Sequence, residues 1–381
     1  MTEAILCLNM GSSSLKFAMY EIEELSLLQE GELECTGHFW IKDHNQQTIV
    51  DRRVDCKSPS EMGHHLFGVL KTSPLQFVAT GHRVVHGGSV FTKPTLITAE
   101  VVAKLKQLSP LAPLHLPIEI TMIEAGMAQM PHISHIACFD TAFFHQMDPK
   151  AKAFPIASKY KEVTRYGFHG LSYEYITQSQ ALLDSRVIIA HIGSGVSLAA
   201  IKDGKPIDTT MGFSPAGGVV MATRSGDLDP GVLIYLMRTY NLSVDQVESL
   251  VNRESGLLGL STLSGDMQKL LQQEKNKKVE FALEIFCRSI AKIIGAFFVE
   301  LGGLDHLIFT AGIGEHSPEI RRRVCSQLIC LGATLNEEKN QANKGTISSQ
   351  QSKCKISMIP TNENLMITKH TKKLLKKINL R

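Results

Sequence analysis

Ile5-Leu6-Cys7-Leu8-Asn9-Met10-Gly11-Ser12-Ser13-Ser14-Leu15-Lys16-Phe17 decides the fold class of this 381-residue chain. Ile5–Leu8 reads as a buried strand and Leu15–Ile22 as its hairpin partner, with Gly11-Ser12-Ser13-Ser14 as the turn between them. A turn of glycine and small hydroxyl residues leaves backbone N–H groups unshielded, and such groups cradle phosphate oxygens. The plan recurs further on: Val187–His191 enters Gly193-Ser194-Gly195 and returns through Ser197–Ile201, and Asp203-Gly204 marks another hairpin. Gly11 and Gly193 stand 182 residues apart, and the same offset sets Asn9 on His191. A third apolar strand, Leu307–Phe309, runs into Gly312-Ile313-Gly314, and Thr223-Arg224-Ser225-Gly226-Asp227 puts an arginine beside a tight turn. The repeat predicts two domains built on one plan and facing each other across a cleft.

The bulk numbers narrow the class. Apolar residues make up 43% of the chain and charged ones 20%, an ordinary globular balance with material for large cores. A formal net charge of +3 is too small to point to nucleic acid or a membrane surface. The 8 cysteines form no CxxC pair and no zinc-finger spacing, so they read as reduced thiols of a cytosolic protein. Met1-Thr2-Glu3 and the short apolar run after it lack the pattern of a signal peptide, and no 18-residue uncharged apolar stretch occurs. Alternating strands and helices (among them Val101–Leu108, Ile118–Ala128, Asp229–Tyr240, Val244–Val251 and Val279–Leu301) predict α/β domains. The boundary is expected at residues 148/149. The stretch Thr368–Arg381 is read as a final amphipathic helix with a solvated basic face.

No GxxxxGK[ST] and no GxGxxG occurs, which weighs against P-loop and Rossmann folds. Strand–turn–strand phosphate loops duplicated over two halves are the plan of the sugar kinase, Hsp70 and actin superfamily. Within it the chain resembles the acetate kinases. The resemblance is carried by Asn9–Lys16, Gly81-His82-Arg83-Val84-Val85-His86-Gly87-Gly88, Ala112-Pro113-Leu114-His115 and Phe139-Asp140-Thr141-Ala142-Phe143. Further on it is carried by Arg165-Tyr166-Gly167-Phe168-His169-Gly170, Thr223–Pro230, Ser255-Gly256-Leu257-Leu258-Gly259 and Ile359-Pro360-Thr361-Asn362-Glu363.

The resemblance implies an α/β fold of two duplicated actin-like (ribonuclease H-like) domains, residues 1–148 and 149–364, with a helix over 365–381 returning to the first. It implies transfer of the ATP γ-phosphoryl group to acetate, giving acetyl phosphate and ADP. Arg83, Asp140, His169 and Arg224 are the expected catalytic residues. Two arginines suit the task, because a guanidinium is permanently charged and grips oxyanions with a planar fork. ATP is expected at Ser12 and Lys16, at His191, Gly193, Ser194 and Gly195, and at Gly312, Ile313 and Gly314, with Asp266, Met267 and Gln268 at the adenosine end. Val85, Leu114, Phe168 and Pro215 are expected to line the acyl pocket, and Asn9 and Glu363 to hold magnesium, or manganese in its place. A homodimer through the second domain is implied as well.

Each of these residues also has an ordinary reading. The apolar ones are core residues elsewhere, and Glu363 could merely cap a helix. His82 and His86, four apart, hint at zinc but lack an HExxH glutamate. The chain departs from the family's usual residues at Leu116, Ser194, Ala216-Gly217, Gln268 and His316. A propionate or butyrate kinase is the nearest alternative, and a nucleotide-switched chaperone or filament protein is the rival from another class.

Overall fold

Strict alternation along the first strand sets the architecture of the N-terminal half. In the computed structural model, which describes residues 2–11, 14–56, 58–343 and 345–380, β1 (Glu3–Met10) is buried on both faces. Leu6 and Leu8 point to one side, where they join Leu15, Phe17 and Met19 and the helices Pro59–Leu70 and Leu116–Gln129. Cys7 points to the other side and meets Ala18, Ala79, Cys138 and the helix Glu363–Asn379 through Met366 and Ile367. Side chains alternate with period 2, so each sheet face acquires its own core.

The sheet continues with β2 (Ser14–Glu21), β3 (Leu27–Glu34), β4 (His38–Asp43), β5 (Thr48–Arg53), β6 (Gln76–Val84), β7 (Thr95–Leu96) and β8 (Ser134–Phe139). Their order is β5-β4-β3-β2-β1-β6-β8-β7. β1 to β5 form an antiparallel meander, while β1, β6 and β8 run parallel. β3 to β5 were not among the strands read from the sequence. β3 and β5 carry charged, partly exposed residues with only a weak alternation, whereas β4 sends Phe39 and Ile41 into the core.

The second sheet orders as β11-β10-β9-β12-β13, with β9 (Arg186–Ile192), β10 (Val196–Lys202), β11 (Lys205–Thr209), β12 (His306–Thr310) and β13 (Lys355–Met358). It repeats the β3-β2-β1-β6-β8 core of the first: a three-stranded antiparallel part joined to parallel strands. The Asp203-Gly204 turn lies between β10 and β11, with φ values of 52° and 73° that suit a two-residue hairpin. The helix Lys277–Leu301 buries Val279, Leu283, Phe286, Ile290, Ile294 and Phe297, a helical stripe, and ends at Gly302 in the left-handed region.

The chain divides into two compact units. One holds Met1–His145, His169–Tyr175 and Asn362–Arg381, and the other Gln146–Phe168 and Ile176–Thr361. His169–Tyr175 lies beyond the boundary drawn from the sequence yet groups with the first unit. Among the described residues no helix is long and apolar enough to cross a membrane.

Candidate active site

Parity along three parallel strands assembles the first cluster. Cys7, Ala79 and Cys138 all face the helix Glu363–Asn379. Two further residues along β1 is Asn9, four along β6 is Arg83, and two beyond Cys138 is Asp140. All three therefore finish their strands on that same face, at the carboxyl ends where open α/β sheets bind ligands. Gly81 belongs to this face as well: a Cβ there would lie 2.5 Å from the side chains of Ile367 and Thr371, so glycine lets the helix seat closely.

The guanidinium of Arg83 is oriented by Asp140. Nη2 and Nε both donate to Asp140 Oδ2, at 2.6 and 3.1 Å, while Nη1 faces Asn9 Oδ1 at 3.5 Å. Burial works against the charge on Arg83, but Asp140, Glu119 and Glu363 outweigh it and hold the group above its ordinary pKa. Asn9 Nδ2 in turn donates to Glu363 Oε2 at 3.3 Å. Glu363 is not the helix cap. That role falls to Asn362, whose side chain accepts from the Leu365 N–H at 2.8 Å. Lys16 pairs with Asn9 across the hairpin and shares its face. Ser12 lies outside the described residues.

His169 joins this cluster through its neighbour. The Gly170 N–H donates to the Asp140 carbonyl at 2.9 Å, and a Cβ at Gly170 would lie 2.1 Å from that oxygen. His169 itself has φ of 58°, a costly backbone state for a non-glycine residue. Val85 is buried just beyond β6, and Leu114 is half-buried in the turn entering Leu116–Gln129.

Glu119 was not singled out in the sequence. It is buried in the first turn of Leu116–Gln129, where its Oε2 accepts from the Val85 N–H at 2.9 Å and its Oε1 lies 3.7 Å from Arg83 Nη1. Burial pushes its pKa up to about 7, against the opposing pull of Arg83 and the Val85 N–H. His82, on the opposite face, bonds His135 at 3.0 Å, and the His86 Nδ1 accepts from the Gly88 N–H at 2.9 Å. Among the described residues no group of three or more His, Cys, Asp or Glu is placed to hold a metal ion.

The second unit holds the expected nucleotide residues other than Ser12 and Lys16. The β9–β10 turn is closed by the Gly193 N–H donating to Gly195 O at 3.0 Å, with His191 buried at its mouth opposite Ser197. Thr310, at the end of the parallel β12, pairs with His191 and leads into the short helix Ala311–His316. A Cβ at Gly193 would make ordinary contacts at 3.5 Å with Gly195 O and 3.7 Å with Ala311 Cβ, whereas one at Gly312 would meet nothing within 4 Å, so open space borders the Gly312 turn. Glu315 Oε1 accepts from the backbone N–H groups of Ala311 and Thr361, at 2.7 and 3.1 Å, tying the β12 turn to the loop after β13.

The arginine turn rests on the β9–β10 turn. The Ala222 N–H donates to Ser194 O at 3.4 Å, and Arg224 Nη1 donates to Pro215 O at 3.0 Å. Phe168 is buried, and the nearby Tyr166 N–H donates to Gly212 O at 3.0 Å. Gly256, with φ of 61°, packs where a Cβ would lie 2.3 Å from Met221 O and 2.7 Å from Arg224 O. The Ser255-Gly256-Leu257 word is thus the support of the arginine turn. Asp266 caps the helix Met267–Leu271 by accepting from the Lys269 N–H, Met267 is buried and Gln268 is exposed.

The acetokinase family profile matches residues 4–369. The chain belongs to that family. The acetate kinase of Rhodopseudomonas palustris (strain TIE-1) is 42% identical over 98% of this chain and 99% of its own length. That of Rickettsia prowazekii is 40% identical over 98% and 100%. Among solved structures, Porphyromonas gingivalis acetate kinase matches with a TM-score of 0.87 and 34% identity over 98% of this chain and 100% of that one. A propionate kinase from Francisella tularensis matches at 0.90 and 34%, covering 97% and 99%. Membership of the acetokinase family makes the chain a kinase, an ATP-using phosphotransferase with a carboxylate acceptor.

Proposed function

We propose that the chain transfers the γ-phosphoryl group of ATP to acetate, reversibly and by direct in-line displacement, giving acetyl phosphate and ADP. The observation that carries this reading is Arg83. Its guanidinium is fixed by Asp140 at the carboxyl ends of parallel strands, with Nη1 left to face the Asn9 side. Acetate is already ionised at pH 7, so no base is needed and no proton moves. An acetate oxygen forms a bond to the γ-phosphorus as the bond to the β–γ bridging oxygen breaks, and ADP departs with that electron pair. The barrier is repulsion between anions, and positioned positive charge lowers it.

In this reading Arg83 holds the acceptor carboxylate, and Arg224 with His169 stabilises the moving phosphoryl group. His191, Gly193, Ser194, Gly195 and Lys16 take the phosphates. Gly312, Ile313 and Gly314 lie along the adenosine, together with Asp266, Met267 and Gln268. Val85, Leu114, Phe168 and Pro215 enclose the methyl group. Asn9 and Glu363 offer one amide and one carboxylate side by side. That sparse set of hard oxygen donors suits magnesium, which keeps several waters and takes phosphate oxygens, better than an ion enclosed by protein. Asn9 and Glu363 would hold it, and manganese could replace it. Bound there, it neutralises charge on the β- and γ-phosphates.

A homodimer is supported by the helix Pro230–Tyr240 of the second unit. None of its residues is buried, although Val232, Ile234, Tyr235, Met237 and Tyr240 line it. A cytoplasmic location agrees with free thiols at all 8 cysteines.

The test is a panel of acetate, propionate and butyrate with ATP and magnesium, trapping acyl phosphate with hydroxylamine. Trapped product with acetate as the best acceptor supports the reading, and a ranking led by propionate moves the assignment to a propionate kinase. ADP release with no trappable product from any acid would instead indicate a nucleotide-switched ATPase.

A further inference from the structure

We propose that Glu119 is a positioning residue that sets the distance between the acceptor-binding arginine and the apolar wall, and so decides which carboxylic acid fits. This rests on the carboxylate-kinase reading and names its gauge. Arg83 and Val85 are two residues apart on extended chain, so they share a face about 7 Å apart along the strand direction. An acid held at its carboxylate by Arg83 has its tail measured by where Val85 stands.

Val85 lies one residue beyond β6, whose last ladder pair is Val84 with Phe139. Its N–H therefore falls outside the sheet ladder and needs another acceptor. Glu119 Oε2 provides it at 2.9 Å, from a side chain only 2% exposed. The second oxygen of the same carboxylate makes no hydrogen bond and faces Arg83 Nη1 at 3.7 Å. Two charged groups set its field: Arg83 from β6 and Asp140 from the end of β8. Asp140 occupies Nε and Nη2 of Arg83, and Nη1, which also donates to Asn9 Oδ1 at 3.5 Å, is the nitrogen that approaches Glu119. One rigid carboxylate is thus bonded to the backbone of the wall residue and set against the side chain of the binding residue. Burying a carboxylate is costly, and here the Val85 N–H and the Arg83 guanidinium offset that cost, so the side chain is held by both residues at once.

Glu119→Gln keeps an oxygen for the Val85 N–H and the same reach. Glu119→Asp draws that oxygen back by one methylene, and Glu119→Ala removes it. The acetate-to-butyrate ratio of kcat/KM should stay within about 3-fold of wild type in the Gln variant. It should fall about tenfold or more in the Asp and Ala variants, the scale of one methylene in an apolar pocket. The KM for ATP should not move in any of them. Should the Ala protein fail to fold, the Asp and Gln pair decides. An unchanged acid ranking in the folded Asp variant, or a rise in the KM for ATP matching that for the acid, would overturn the proposal. Absence of acyl phosphate from the wild-type protein would instead sink the kinase reading beneath it.

Discussion

Arg83 is held by Asp140, Asn9 and Glu119, and the residues around it make separate predictions. Arg83→Ala should lower turnover by roughly 10²-fold or more, the scale of losing a group that stabilises a developing oxyanion. Arg83→Lys should rescue little, since an ammonium cannot reproduce the two bonds to Asp140 Oδ2. Near-normal steady-state turnover in a folded Arg83→Ala protein would remove the residue from the site. Glu363→Ala should raise the magnesium concentration needed for half-maximal rate while leaving the final helix intact, because Asn362 is its cap. Asn362→Ala should do the reverse, costing about 1 kcal/mol in urea unfolding. Glu119 adds a pH dependence. Its pKa in the folded chain is about 7 against an ordinary 4.5, so between those values the native state binds more protons than the unfolded one. Its contribution to stability therefore declines as pH rises from about 4.5 to about 7, by roughly 1–3 kcal/mol. Unfolding wild type and Glu119→Gln at pH 5 and pH 8 should show the wild type losing ground to the mutant at the higher value. Asn9, Arg83, Asp140 and Glu363 could all be picked from sequence because each ends a strand or opens a helix inside a recognisable word. Glu119 could not. An acidic residue in a helix's first turn is an ordinary dipole-favourable choice, and only the fold shows that this one points inward.

At the level of elements, the supports of the site were harder to see than the site. Arg321 is fully buried, and burial draws its pKa down to about 10. It donates to the carbonyls of Gly314 and Glu315 at 2.8 and 2.9 Å, and to Asn340 Oδ1, Asn340 O and Asn343 Oδ1 at 2.8, 2.8 and 2.5 Å. All five guanidinium N–H groups are thereby used, and two of them fix the end of the helix that begins in the Gly312 turn. Arg321→Lys should raise the KM for ATP several-fold while leaving the KM for the acid in place. Equal changes in both would assign Arg321 to general stability. In the sequence Arg321 is one of three consecutive arginines with nothing to set it apart, and its neighbours Arg322 and Arg323 make ion pairs with Glu319 and Glu280. Strands β3 and β5 of the first sheet escaped for a related reason: charged, partly exposed residues do not alternate cleanly. The duplicated hairpin, by contrast, was legible because Asn9–Gly11 and His191–Gly193 bring the same turn chemistry at the same strand end.

Over the whole molecule, the two sheets share one strand plan, and the family assignment covers nearly all of the chain. The apolar helix Pro230–Tyr240 predicts an assembly: Tyr235→Glu should convert a dimer seen by analytical ultracentrifugation into a monomer, and a wild-type monomer at micromolar concentration would contradict it. The most direct test follows ATP, magnesium and acetate with the purified protein by phosphorus NMR. Acetyl phosphate and ADP should appear in equal amounts, and adding acetyl phosphate and ADP should regenerate ATP. ATP consumed with only inorganic phosphate appearing, from acetate and from its longer homologues alike, would contradict the account.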